Sequence, residues 1–87
     1  MPYITRERRR LLDTRFVEPV GPGELNYLFS YLAGRYTDRS GLSYATINEV
    51  MGVFESAKQE FYRRIAVPYE EVKRADNGDV YPERIVL

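Results

Sequence analysis

Residues 46–69, TINEVMGVFESAKQEFYRRIAVPY, are the longest stretch with an unbroken helical period, and the remaining segments are short enough to pack against it. Ile47, Val50, Met51, Phe54, Ala57, Phe61 and Ile65 recur at steps of three and four. At about 100° per residue they fall in one arc of roughly 120°, the apolar stripe of a core-facing helix. A helix of this kind draws most of its stability from what covers the stripe, so the rest of the chain has to supply a second apolar face.

The segment just upstream offers one. Residues 24–36, ELNYLFSYLAGRY, place Leu25, Leu28, Phe29, Leu32 and Tyr36 on a common face, with Glu24 near the positive end of the helix. Tyr27 and Tyr31 point away from that face, as an aromatic edge beside Gly34. The polar linker TDRSGL at 37–42 has the length expected between antiparallel helices. Ser43 or Thr46 caps the long helix, and Thr46 has Glu49 three residues on, in capping-box spacing. The expectation is an antiparallel hairpin in which the long helix, about 30 Å, overhangs a partner of about 20 Å. Phe61 and Ile65 then need cover from the N-terminal helix, the tail or a second subunit.

The flanks complete an all-α domain over residues 1–87. Residues 1–16 form an N-terminal arm in which Thr5 caps a short helix to about Arg15, Arg6, Arg8, Arg9 and Arg10 surrounding a thin apolar side. VEPVGPG at 17–23 is a hinge that no helix should cross, and 24–66 holds the hairpin. In 67–87, Pro68 ends the long helix and opens a short one, PYEEVKRA. Asn77-Gly78 stops it, and DVYPERIVL is an extended tail with room for an edge strand at most.

Composition removes several chemistries. The chain has no cysteine and no histidine, so disulfide, zinc-finger, thiolate and imidazole-based routes are absent. No phosphate-binding loop, dinucleotide fingerprint or metal loop occurs, and the expectation is a non-enzyme without cofactor or metal. Neither a secretory apolar run nor a membrane-length apolar segment is present, so the expected location is cytoplasmic. Positive and negative side chains balance at 13 each, which disfavours a general nucleic-acid binder. Eleven arginines against two lysines, with eight tyrosines, are instead the material of interfaces and of phosphate or base recognition.

One edge of the long helix concentrates that chemistry. Taking Ile47 as zero, Lys58 projects at about 20°, Tyr62 at about 60°, Glu55 at about 80° and Asn48 at about 100°. An amine at a core-facing position has to snorkel, pair or meet a ligand, and pairing with Glu55 at i, i+3 is the plainer alternative. With Arg63, Arg64 and Tyr69 close behind, the edge is a candidate seat for an anionic, nucleotide-like ligand. A separate candidate contact, for a protein partner, joins Tyr27 and Tyr31 with Arg8 and Arg9 of the first helix.

GELNY at 23–27, INEVMGVFESAKQEFYRR at 47–64, PYE at 68–70 and NGDVY at 77–81, with MPYIT at the start, resemble a family of small uncharacterised proteins encoded by tailed phages and prophages. The resemblance spans nearly the whole chain and is weakest over 14–21. It implies an accessory protein acting inside a bacterium, with no catalytic residues to carry over. The combined expectation is a homo-oligomeric, non-enzymatic binding protein that sequesters a nucleotide-like ligand. The alternatives are a protein-interaction or inhibitory module directed at a host protein and, last, a small DNA-binding regulator acting through the arginines of residues 6–10.

Overall fold

The computed structural model describes residues 2–13 and 17–86, and among these every regular element is helical. In chain order they are α1 (Arg6–Asp13), α2 (Gly21–Ser40), α3 (Tyr44–Phe61), a π-helical turn (Tyr62–Ala66), α4 (Val67–Asn77) and a 3-10 turn (Glu83–Ile85). The chain divides into two units, Met1–Glu55 and Ser56–Leu87, so α3 begins in the first and ends in the second.

In the first unit, α1 is capped as its sequence dictates. Thr5 Oγ1 accepts the Arg8 N–H at 3.3 Å, and the Thr5 carbonyl accepts that of Arg9 at 3.0 Å. The guanidinium of Arg9 lies 5.9 Å from the ring centre of Tyr3, tying the lead-in to the helix. The expected continuation through Arg15 falls on 14–16, outside the described residues.

Helix α2 corrects the expected limits at both ends. It starts at Gly21, inside the proposed hinge, because Pro22 sits in the first turn, where a missing N–H removes no intrahelical bond. Gly21 supplies the φ of 81° with which the extended chain at Val20 turns into the helix. The Glu24 carboxylate then reaches back to accept the Val20 N–H at 2.8 Å. At the other end, residues 37–40 are helical rather than a loop. Thr37 is accommodated because its hydroxyl donates to the Ala33 carbonyl at 2.8 Å. The helix stops at Gly41, φ 91°, whose N–H closes on the Thr37 carbonyl at 2.9 Å. At 20 residues α2 is longer than the 13-residue segment expected, and α3 spans 18 before the backbone continues helically into the π turn.

Ser43, not Thr46, caps α3: its Oγ accepts the Thr46 N–H at 3.1 Å and lies 3.1 Å from the Thr46 hydroxyl. Glu49 takes no part in a capping box and instead accepts the Tyr36 hydroxyl at 3.2 Å, joining α2 and α3 beside their turn. Thr46, only 5% exposed, is the one buried side chain among the described residues. Leu28 and Val50 are half-buried. Among the described residues the expected compact apolar core is not formed: Leu25, Phe29, Leu32, Ile47, Met51 and Phe54 remain between 40% and 62% exposed.

In the second unit Pro68 fails to end the helix. A proline has no N–H and crowds the carbonyl four residues back. Here the backbone widens by one residue, the Val67 N–H bonds the Tyr62 carbonyl five residues away, and α4 continues from that π turn. Gly78, φ 89°, ends α4 with its N–H on the Arg74 carbonyl at 2.9 Å. Arg74 pairs with Glu71 and, at 3.7 Å, with Asp79, whose other oxygen accepts the Tyr81 N–H at 2.9 Å. The hydrogen bond and charge of Glu71, with the charge of Asp79, hold the Arg74 guanidinium above its ordinary pKa, so it stays charged throughout. Beyond Pro82 the tail makes the 3-10 turn, and no strand occurs among the described residues.

Candidate functional site

Two stretches of exposed aromatic and basic side chains come out of this architecture, one on α2 and one along the end of α3 into α4. On α2, the rings of Tyr27 and Tyr31 stack at 5.9 Å between centres and 21° between planes. That geometry comes from i, i+4 spacing on a regular helix, where one side chain lies over the next. Arg35 extends the stack by another turn: its guanidinium carbon is 5.8 Å from the Tyr31 ring centre and its Nη1 donates to the Tyr31 hydroxyl at 3.2 Å. The result is a ladder of tyrosine, tyrosine and arginine along one helix edge, with Tyr27 64% and Tyr31 45% exposed.

The sequence pointed to Tyr27 and Tyr31 but missed Arg35, although i+8 from Tyr27 was the signal that would have found it. Close to the ladder, Ala33, Gly34, Thr37, Asp38 and Leu42 line a shallow depression of about 450 Å³. Nothing lies within 4 Å of the position a Cβ would take at Gly34, so the backbone there is open to approach. Arg8 and Arg9, the other proposed partner contacts, are exposed on α1, with Arg9 lying beside Tyr3.

The proposed ligand residues are more scattered. Asn48 and Glu55 belong to the first unit and are exposed on α3. In the second unit Lys58, Tyr62, Arg63, Arg64 and Tyr69 are all exposed. Lys58 is therefore not the core-facing amine that the helical wheel suggests. The wheel angle holds, but the stripe around the lysine is itself in solvent, so no desolvation forces the amine to pair. Arg63 pairs with Glu60 at 2.7 Å and Arg74 with Glu71 and Asp79, and neither Lys58 nor Arg64 takes part in these pairs.

Arg63 is held structurally, since its partner Glu60 is the less exposed of the two at 16%. Tyr69 carries the Lys73 amine 5.5 Å from its ring centre, again at i, i+4. The π turn also separates the two tyrosines of this stretch. At i, i+7 in a continuous α-helix they would share a face, but the extra residue in the turn rotates the helix beyond it by roughly 100°. None of the proposed ligand residues lines the depression on α2. No helix among the described residues is long and apolar enough to cross a membrane, and none of their carboxylates gather in groups of three or more.

Residues 1–80 match the family model described as Domain of unknown function (DUF6899), and the chain belongs to that family. Comparison with curated proteins and with solved structures finds no match.

Proposed function

We propose that this member of the DUF6899 family is a non-enzymatic module that acts by occupying a protein target, which it meets through the Tyr27–Tyr31–Arg35 edge, with Arg8 and Arg9 of α1 as further contacts. The observation that carries this is the ladder itself. Stacked rings with an arginine laid against the last of them have already lost side-chain freedom in the free molecule, so little further entropy is lost on contact. Tyrosine and arginine are also the residues in which binding energy concentrates at interfaces. The open backbone at Gly34 lets a partner come close beside the rings.

In this reading α2 and α3 form the antiparallel hairpin that presents the edge, supported by the turn at residues 41–43 and the Tyr36–Glu49 hydrogen bond. The setting that suits it is the cytoplasm of a bacterial host, with the chain a phage-type accessory protein and its target an acidic host surface. Immobilised full-length protein should recover a stoichiometric partner from host lysate. Tyr31→Ala and Arg35→Ala should each lower recovery at least tenfold while leaving far-ultraviolet circular dichroism unchanged. Equal recovery by all three proteins would end the proposal.

A second reading, capture of a nucleotide-like anion, is favoured by one arrangement: Lys73 over Tyr69, in the same unit as Lys58, Tyr62 and Arg64, which stand outside any ion pair among the described residues. It predicts that some nucleotide raises the melting temperature and that Lys58→Ala or Tyr69→Ala abolishes the rise. An unchanged melting temperature across a nucleotide panel would discard it.

A further inference from the structure

The C-terminal end of α4 joins a reactive sequence to a backbone that holds it in check. The chain has three asparagines, Asn26, Asn48 and Asn77. The first two lie inside α2 and α3 and are followed by Tyr27 and Glu49, whose side chains crowd the amide nitrogen that follows each asparagine. Asn77 is exposed, ends α4 and is followed by Gly78, which has no side chain to shield its nitrogen. In the structure that nitrogen is engaged: its N–H closes α4 on the Arg74 carbonyl at 2.9 Å. The helical backbone at Asn77 also withholds the turn that would bring the nitrogen onto the Asn77 side-chain carbon. What secures this end is slight. α4 buries no residue, and the Arg74–Asp79 pair that braces its last turn is a long one at 3.7 Å. Helix ends with so little cover open at the low end of a protein's stability range.

We infer that Asn77 is a site of covalent self-modification, set off when the last turn of α4 opens. Released from the Arg74 carbonyl, the Gly78 nitrogen gives up its proton and attacks the side-chain amide carbon of Asn77. A new C–N bond forms, the bond to the amide nitrogen breaks, ammonia leaves, and a cyclic imide remains. Water then opens either of the imide carbonyls. One product carries a carboxylate where the amide stood; in the other the main chain runs through the former side chain and is a carbon longer. Both products act against the cap that delayed them. The new carboxylate stands at the negative end of α4, next in sequence to Asp76 and close to Asp79. The added carbon takes the Gly78 N–H out of register with the Arg74 carbonyl. The tail from Asp79 onward then loses its attachment to α4 by a reaction that does not reverse.

The test incubates the full-length protein at mildly alkaline pH, folded and in denaturant, and reads amide-to-acid conversion at each asparagine by mass spectrometry of digests. Conversion should concentrate at Asn77, include the chain-lengthened product and speed up as pH rises. It should run at least about tenfold slower in the folded chain than in denaturant, because the turn has to open first. Ala75→Gly loosens the last turn while leaving Asn77 and Gly78 as they are; it should raise the folded rate about fivefold and leave the rate in denaturant unchanged. In the converted, folded protein the Gly78 amide should exchange faster, while the amides of α2 keep their protection.

Folded protein that converts no faster at Asn77 than at Asn26 and Asn48 would overturn the inference. So would equal Asn77 rates in the folded and denatured chain, an Ala75→Gly variant no faster than the parent, or Gly78 exchange that conversion leaves unchanged.

Discussion

Two of the helix-breaking signals in this chain are answered by the backbone in opposite ways. At residues 41–43 the helix stops, turns and restarts; at Pro68 it widens and goes on. The difference lies in what each site offers beyond the breaker. Gly41 provides a φ of 91°, and two residues later Ser43 is ready to accept the Thr46 N–H at 3.1 Å. The old helix is closed and the new one capped within three residues. Pro68 withdraws a single N–H and crowds one carbonyl. No positive φ precedes it and no side-chain cap stands at Ala66, where the backbone is already helical. A missing donor can be absorbed by one wider turn, whereas leaving the helix requires a new backbone direction and new partners for the orphan groups.

The sharpest way to break that comparison is to move the proline to where no π turn exists. Ala57→Pro, within α3, should destabilise by about 3 kcal/mol or more, because the ladder there has regular spacing and the ring meets the Val53 carbonyl. Thermal denaturation followed by circular dichroism at fixed protein concentration reads the effect. A loss no larger than that of Ala57→Gly would show that α3 widens as readily as the Tyr62–Ala66 turn. Next in size is Gly41→Val. A β-branched side chain forced to φ near 91° should lose about 2 kcal/mol, and the melt should show it. Ser43→Ala removes only the cap, so about 1 kcal/mol is expected, with faster amide exchange at Thr46 than in the parent.

These sites also show how much of the molecule is legible in its sequence. The all-α character, the Thr5 cap, the turn near Gly41 and the stop at Gly78 come from period and punctuation and are present. The limits of α2 are misplaced by the pattern because Pro22 and Thr37 act by position: proline is harmless in a first turn, and threonine can bond its own helix at Ala33. Passage through Pro68 is invisible, since a π turn leaves no mark in the pattern of apolar residues. The tyrosine edge is half visible: Tyr27 and Tyr31 stand out as aromatic, while Arg35 passes as one arginine among eleven. Lys58 misleads for a different reason. A helical wheel gives direction only, and whether a face is dry depends on what comes to cover it.

The smallest effect expected is also the one that tests the contrast most directly. Pro68→Ala restores the missing N–H, so the Tyr62–Ala66 segment no longer has a reason to be wide. The i to i+5 bond from Val67 to Tyr62 should give way to ordinary α spacing. Helicity should stay the same and stability should change by less than about 1 kcal/mol. Proline already stands near a position where its fixed φ suits a helix, and alanine gains a hydrogen bond while losing that preorganisation. The geometric consequence is larger than the energetic one. Removing one extra residue per turn rotates α4 by roughly 100° about its axis and returns Tyr69 to the face of Tyr62. Distances between spin labels at Gln59 and Val72 report that rotation. If the labels read the same distance in Pro68→Ala as in the parent, the widened turn has a cause other than the proline, and that cause, rather than the missing N–H, separates the second breaker from the first.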